Sequence, residues 1–166
     1  MSSGNEAYTG VYNNPSQISH LNAGDLSVSN ASAVNITTKS FRASSENIDK
    51  AKTLVAEDSG KLFAVSNDSA GEYNITLPLP ENGLVFEFVA RDNLPDNVNI
   101  ETYSSAPIIY GNVSYITGGT RGHRFSDVHV VSFEINEAVK GDRIRLCSDG
   151  TSWYISGECE KVDGIQ

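Results

Sequence analysis

The sequence predicts an all-β fold, an antiparallel β-sandwich of the jelly-roll type. From about Lys50 onward, apolar and polar residues alternate with a period of two in short runs. Turn-forming pairs such as Gly118-Gly119, Gly141-Asp142 and Asp149-Gly150 separate these runs. Short strands separated by turns in this way are typical of sandwiches and barrels.

Seven runs have the length and the composition of strands, with β-branched and aromatic residues in alternation. They are Lys61–Ser66, Glu72–Leu77, Gly83–Arg91, Val98–Tyr103, Val128–Ile135, Arg143–Cys147 and Ser152–Ser156. Within Gly83–Arg91 the alternation assigns Phe86 and Phe88 to the core. In the last two runs it assigns Arg145 and Tyr154 to an outer face.

Only two segments have a sequence that could form a short helix. Ser45–Val55 begins with residues that can cap a helix, and Asn136–Lys140 has enough residues for about one turn. Neither segment sustains a long apolar stripe, so helices are expected to contribute little to the fold.

The composition divides the chain into an extended N-terminal arm, residues 1–45, and a β-sandwich body, residues 46–166. The arm is rich in Gly, Asn and Ser and has too few apolar residues for a core of its own. We therefore expect it to order only against the body, a neighbouring subunit or another protein, and a disordered tail is the alternative. Its predicted contact residues are Tyr8, Val11, Tyr12 and Ile18.

The charge and the hydropathy argue against two classes of partner. The net charge is -9 and the pI is about 4.7, whereas binding to nucleic acid depends on Lys and Arg that displace counterions from phosphates. No stretch approaches the roughly 20 apolar residues that cross a bilayer, and the N-terminus lacks the pattern of a signal peptide. We therefore expect neither nucleic acid nor membrane as a partner, and synthesis in the cytosol.

The two cysteines are predicted to be free thiols. The segment Ser148-Asp149-Gly150-Thr151 predicts a hairpin turn, which would place Cys147 opposite Ser152 or Trp153. In that register Cys159 lies about 20 Å away along the strand. A disulfide requires Cα atoms within about 7 Å of each other, so the pair is predicted not to form one.

Enzyme chemistry, a metal and a cofactor are not predicted. The chain has three histidines and no motif that pairs a serine or cysteine nucleophile with a base. Asp127 and His129 share a strand face and His123 precedes them, so these three residues are the candidate metal ligands. The same residues also occur on solvated strand edges that bind no metal, and that is the reading we adopt. The carboxylates considered for sugar hydrolysis are Glu87, Glu101 and Glu134. Their spacing does not place two of them across a cleft.

The segment from Gly118 to Phe125 is predicted to be a surface-binding loop, because it mixes glycines, aromatic residues and cations. The predicted contact residues in and beside this loop are Tyr115, Arg121, His123 and Arg124. Tyr103 and Tyr110 are further aromatic residues of this candidate contact surface. The alternative is that these aromatic residues pack in the core or cover strand edges.

Five motifs lie in order between Thr53 and Gly157. They are Glu57-Asp58-Ser59-Gly60-Lys61-Leu62-Phe63, Ile75-Thr76-Leu77-Pro78, Gly83-Leu84-Val85-Phe86-Glu87-Phe88, Gly141-Asp142-Arg143-Ile144-Arg145-Leu146 and Ser148-Asp149-Gly150-Thr151-Ser152-Trp153-Tyr154. Together they resemble a β module of tailed-bacteriophage structural proteins, found among capsid decoration, head-fibre and tail-fibre proteins. The motifs supply turns and core positions and include no catalytic signature.

This resemblance implies a β-sandwich in a virion. A compact body with one arm and no repetitive shaft fits a capsid decoration (cement) protein that binds the outer capsid surface and stabilises the virion. The implied partners are the major capsid protein and further copies of this chain, as a homotrimer on the capsid exterior after synthesis in the host cytoplasm. The alternative is a phage fibre or receptor-binding domain that recognises host surface glycans.

Overall fold

A computed structural model of the protein describes residues 44–67, 71–106, 108–116 and 121–166. Within these residues the fold is all-β, as predicted, with eleven strands and two single-turn 3-10 helices, Ala56–Asp58 and Tyr103–Ser105. The strands in chain order are β1 (Ser45–Ile48), β2 (Lys52–Thr53), β3 (Leu62–Val65), β4 (Tyr73–Thr76), β5 (Asn82–Ala90), β6 (Val98–Glu101), β7 (Ile109–Tyr115), β8 (Arg121–Val128), β9 (Val130–Phe133), β10 (Arg143–Asp149) and β11 (Trp153–Cys159). All described residues belong to one unit, which begins at Ser40. No helix among them is long and apolar enough to cross a membrane.

The described strands form two mixed sheets. A seven-stranded sheet has the order β1-β3-β5-β10-β11-β7-β8, and a four-stranded sheet has the order β2-β4-β6-β9. The predicted antiparallel pairing is wrong for five of the nine strand pairs described, which are parallel. Strands β1 to β6 alternate between the two sheets. Each strand from β3 to β6 therefore pairs with the strand two positions earlier in the chain and runs parallel to it. Parallel neighbours require such a crossover, and here the other sheet provides it.

This winding gives the described body two ends. The connections β2–β3, β4–β5 and β6–β7 lie at one end, which we term the proximal end, and β1 also begins there. The connections β1–β2, β3–β4 and β5–β6 lie at the opposite, distal end. The carbonyl of Ser44 accepts a hydrogen bond from the N–H of Leu62 (3.0 Å), at the start of β3. The covalent connection to residues 1–43 is therefore at the proximal end.

Side chains from both sheets form one buried cluster. Phe86 and Phe88 are fully buried, which confirms the predicted core face of β5. Their ring centroids lie 6.3 Å and 5.4 Å from that of Phe63, and Phe86 lies 5.6 Å from Trp153. The four-stranded sheet contributes a fully buried cross-strand row, Ile75, Ile100 and Val131. Full burial of one such side chain stabilises the fold by about 1.5–3 kcal/mol.

Neither of the two candidate helices forms. Ser45–Val55 contains β1 and β2, and Asn136–Lys140 lies in a connection with turns, where Asn136 has a φ of 58°. Strands β1 and β2 are stabilised by pairing with β3 and β4, and no local pattern reports that pairing. Strand β7 and most of β8 lie outside the runs predicted as strands, for the same reason.

Candidate binding surfaces

The outer face of the seven-stranded sheet carries one cross-strand line of polar residues. In register from β5 through β10, β11 and β7 to β8, it consists of Glu87, Arg145, Ser156, Asn112 and Arg124. We term these five residues the polar row. Successive side chains of a strand point to opposite faces, and the neighbours of this row on β5, β10 and β11 are mostly buried. The polar row therefore faces outward, with Glu87 partly exposed and the other four exposed.

The polar row crosses two adjoining open grooves. The first has a volume of about 380 Å³ and is also lined by Ser114 and by the ion pair between Arg143 and Glu158 (3.2 Å). The second has a volume of about 280 Å³ and reaches Arg124. Asn112 lines both grooves, so the two grooves are neighbours on the same face of the sheet.

The side chains of the polar row are unpaired. Within the part of the chain that the structure describes, none of the five makes a side-chain hydrogen bond or an ion pair with another residue. Arg145 lies directly opposite Glu87 in the register, yet no ion pair joins them. Their hydrogen-bonding groups are solvated, and they are therefore available to a ligand.

Two tyrosines flank the polar row on its proximal side. Tyr110 and Tyr154 are paired in register, with ring centroids 6.4 Å apart. The Tyr110 hydroxyl donates to Asp127 (2.7 Å) and the Tyr154 hydroxyl donates to Asp149 (2.9 Å). These hydrogen bonds raise the pKa of both phenols and fix the orientation of both rings.

Asp149 organises the turn that positions Tyr154. Its carboxylate accepts hydrogen bonds from the N–H groups of Ser152 (2.9 Å) and Thr151 (2.8 Å). These backbone donors hold the pKa of Asp149 well below its ordinary value. Asp127, the partner of the other tyrosine, has a φ of 56° and lies where the β7–β8 register shifts. Such a bulge redirects a side chain, here toward the tyrosine hydroxyl.

The residues predicted to form a surface-binding loop belong to a strand hairpin instead. Tyr115 ends β7 and pairs with Arg121, the first residue of β8. Tyr115 is partly buried against the core, and the ring of His123 lies 4.7 Å from that of Phe125. By strand alternation Tyr115 and His123 lie on the face opposite to Arg124, and Arg124 joins the polar row.

The predicted contact residues of the N-terminal arm lie outside the described residues. They are Tyr8, Val11, Tyr12 and Ile18. At the proximal end, where residues 1–43 connect to the body, three connections each expose one large apolar side chain. Val55 is 50% exposed, Leu79 is 61% exposed and Tyr103 is 53% exposed. We term these three residues the proximal trio.

The backbone places the proximal trio shortly after the ends of three neighbouring strands. The parallel strands β2, β4 and β6 are aligned at Thr53, Thr76 and Glu101. Each of these strands ends at that position or within a residue of it, and the trio follows. Neighbouring strands are about 4.8 Å apart. The proximal trio thus follows three neighbouring strand ends, and exposed apolar side chains at one end of a body are candidates for a contact surface.

The carboxylates considered for sugar hydrolysis are not brought together. Glu87 lies on the outer face of the seven-stranded sheet, whereas Glu101 belongs to the four-stranded sheet and accepts hydrogen bonds from Asn74 (3.0 Å) and Thr76 (3.1 Å). Glu134 follows β9, and burial raises its pKa. The structure does not pair Glu87 with either of the other two.

The residues considered as metal ligands have other contacts. Asp127 accepts hydrogen bonds from Tyr110 (2.7 Å) and Ser126 (3.1 Å). Within the described ranges, no three His, Cys, Asp or Glu side chains are grouped as a metal ion would require. His129 follows β8, and its carbonyl accepts the N–H of Thr102 (2.8 Å).

The outer face of the four-stranded sheet carries a second cross-strand row of polar residues, which is internally hydrogen bonded. Asn74, Asn99 and Ser132 are in register across β4, β6 and β9. Asn99 accepts from the Ser132 hydroxyl (2.7 Å) and donates to Asn74 (3.1 Å) and Glu72 (2.6 Å). Asn74 in turn donates to Glu101. We term these five residues the amide ladder.

Both cysteines are free, as predicted, but their predicted register is wrong. Cys147 pairs with Tyr154 rather than with Ser152 or Trp153, because the turn spans more residues. Cys147 is exposed on the outer face, whereas Cys159 is buried on the inner face. Burial, with the nearby Asp142 carboxylate, raises the pKa of Cys159 to about 11.

Comparisons with protein-family models and with curated protein sequences found no match for this chain. The candidate surfaces therefore depend on geometry. The alternation of β10 predicts that Arg145 faces outward, and the structure confirms it. The alignment of Arg145 with Asn112 and Arg124 requires the parallel pairing of β7 with β11, for which the sequence offers no local signal.

Proposed function

We propose that the protein is a structural component of a tailed-phage virion, a capsid decoration (cement) protein that binds the outer capsid surface and stabilises the particle. The sequence motifs support the virion setting. The single observation that supports this mode of action is the position of the proximal trio, at the end where residues 1–43 join the body. In this proposal the arm and the proximal trio both bind the capsid surface.

In this proposal the two sheets are the layers of a sandwich-like body, and residues 1–45 are the arm. Tyr8, Val11, Tyr12 and Ile18 anchor the arm, because aromatic and apolar side chains in a Gly/Asn/Ser-rich segment provide the area that a contact buries. The partners are the major capsid protein and two further copies of the chain. The protein is non-enzymatic, binds no nucleic acid, membrane or cofactor, and works on the capsid exterior.

Stabilisation follows from mass action. A protein that binds the intact shell and not the broken one shifts the equilibrium toward the intact shell. Each copy contributes a modest contact, and a trimer joins three such contacts, so that binding of one raises the effective concentration of the others.

The test is an add-back experiment on particles that lack the protein. Wild-type protein should raise the temperature at which such particles release their genome. Protein carrying Val55→Ser, Leu79→Ser and Tyr103→Ser should do so poorly, since the contact surface becomes polar while the core is untouched. The matched control carries Ile116→Ser, Ile135→Ser and Val162→Ser, which alters three exposed apolar residues away from the proximal end. The control should restore the particles fully, and equal failure of both variants would contradict the proposal.

The second candidate is a fibre or receptor-binding domain that recognises host surface glycans. The observation that favours it is the unpaired polar row in its two open grooves. Copy number separates the two candidates, because a decoration protein is present in hundreds of copies and a fibre in few. If bare particles withstand heat like complete ones but fail to adsorb to host cells, the cement role is wrong and the receptor role replaces it.

A further inference from the structure

The polar row differs from the amide ladder and from the Asp149 turn in having unused hydrogen-bonding capacity. The amide ladder satisfies its own groups, and the Asp149 carboxylate is occupied by backbone donors. In the polar row two guanidinium groups, a carboxylate, an amide and a hydroxyl stand in one line without partners among the described residues. Convergent polar groups in a depression are the usual feature of a ligand site.

The charge distribution indicates an anionic ligand. The chain carries a net charge of -9, yet three of its six arginines lie on the outer face of β8 and β10, at Arg124, Arg143 and Arg145. Arg143 is paired with Glu158, whereas Arg124 and Arg145 are free to bind a carboxylate with two parallel hydrogen bonds. Anionic groups on a ligand would thus bind these arginines, although the negative net charge of the chain disfavours anionic ligands elsewhere.

The spacing of the two arginines indicates an extended ligand. Arg145 on β10 and Arg124 on β8 are separated by three strand intervals, or about 14 Å at 4.8 Å per interval. Side chains in a sheet stand roughly perpendicular to it, which keeps the two guanidinium groups near this separation and favours contacts with two different acidic groups. A ligand that uses both carries acidic groups on separate units of a chain.

The groups between and beside the arginines match a saccharide. Glu87 accepts hydrogen bonds from hydroxyls, Ser156 donates or accepts, and Asn112 does both, which suits sugar hydroxyls. Tyr110 and Tyr154, held in place by Asp127 and Asp149, present amphipathic rings beside the row that lose little entropy when a ligand packs on them.

Two other anionic polymers fit less well. A nucleic acid carries a phosphate at every nucleotide and needs a run of cations along them, whereas the row offers two unpaired arginines about 14 Å apart. An acidic peptide is usually bound along an open strand edge or in apolar pockets. The two grooves instead lie on the face of the sheet, across strands β5, β10, β11, β7 and β8, and are mainly polar.

We propose that the outer face of the seven-stranded sheet binds an acidic polysaccharide, with Arg145 and Arg124 contacting carboxylates on separate sugars and Tyr110 and Tyr154 packing against sugar rings. This inference rests on the second candidate function and specifies its ligand class. It does not require the cement role, because the polar row and the proximal trio are different surfaces.

The test measures binding of the full chain to an array of oligosaccharides that contain uronic acids or sialic acid, with neutral oligosaccharides of the same length beside them. Acidic glycans should be bound and neutral ones should not, with affinity falling as salt is added. For the glycan bound best, titration calorimetry should show about tenfold weaker binding for Arg145→Gln and for Arg124→Gln, since each removes a charged hydrogen-bonding partner. The charge-matched control, Lys50→Gln with Lys140→Gln, alters two exposed cations outside the polar row and should bind like wild type.

Absence of binding to every acidic glycan, equal binding of neutral glycans, or unchanged affinity in the Arg124→Gln, Arg145→Gln double variant would overturn the inference. Adsorption of particles to host cells separates its failure from that of the receptor role. If adsorption requires the protein but the protein binds no acidic glycan, the receptor role is supported and the proposed ligand class is wrong. If the protein binds acidic glycans but its absence does not affect adsorption, the ligand class is supported and the receptor role is wrong.

Discussion

The outer faces of the two sheets carry the same kinds of polar residue but use them differently. In the amide ladder each amide and carboxylate is hydrogen bonded to a neighbour across the strands. In the polar row the same cross-strand alignment leaves every side chain unpaired within the described chain. Hydrogen bonds within a face stabilise the fold, whereas unpaired groups contribute little to stability and remain available for recognition. Polar composition alone therefore does not distinguish a stabilising face from a binding face.

The largest loss of stability is expected beneath both faces, in the shared core. Phe86→Ala or Phe88→Ala should lower the free energy of unfolding by about 3–5 kcal/mol, because each change removes a buried ring and leaves a cavity. Val85→Thr, on the outer face of the same strand, should cost about 1 kcal/mol or less. Urea denaturation of the three variants measures these differences. If the phenylalanine variants were as stable as wild type, the shared core would not be what supports the two faces.

An intermediate loss is expected in the amide ladder. Asn99→Ala removes side-chain hydrogen bonds to Glu72, Asn74 and Ser132 and should lower the free energy of unfolding by about 1–2 kcal/mol. Asn99→Asp retains the acceptor for Ser132 but places a carboxylate beside Glu72, and it should not restore stability at neutral pH. Denaturation at pH 7 checks both. Wild-type stability in Asn99→Ala would show that the ladder is not a stabilising device.

A small loss is expected from the same substitution in the polar row. Asn112→Ala should change the free energy of unfolding by no more than about 0.5 kcal/mol, because its side chain has no described partner. Asn99→Ala and Asn112→Ala form a matched pair, since each residue sits within a cross-strand row. Equal losses in the two variants would remove the distinction between the faces.

The smallest perturbation is chemical labelling, which compares the two sides of one hairpin without changing the sequence. At pH 8 the exposed Cys147 should react with a thiol reagent, whereas Cys159 should not, because it is buried and its pKa of about 11 keeps it protonated. Mass spectrometry should find one label per native chain and two after unfolding in guanidinium. Two labels on the native protein would place Cys159 on an accessible face.

Local patterns predicted the parts of the fold that depend on local chemistry. The alternation of β5 predicted the burial of Phe86 and Phe88, and the turn chemistry around Gly150 predicted the last hairpin. The predicted register of that hairpin was wrong, since Cys147 pairs with Tyr154 rather than with Ser152 or Trp153. Alternation is the same for parallel and antiparallel strands, so it could not reveal the mixed sheets.

The sequence by itself determined that this protein is all-β and which side of each clear strand is buried, because period-two alternation and turn residues act within a few positions. It also determined the acidic charge and, through resemblance, the expectation of a virion role. Tertiary structure alone decided that β1 and β2 are strands, and that Arg145, Asn112 and Arg124 share one line while Asn99 bonds to its neighbours. The physical reason is that these features depend on pairing between segments far apart in the chain, whose register no short segment encodes.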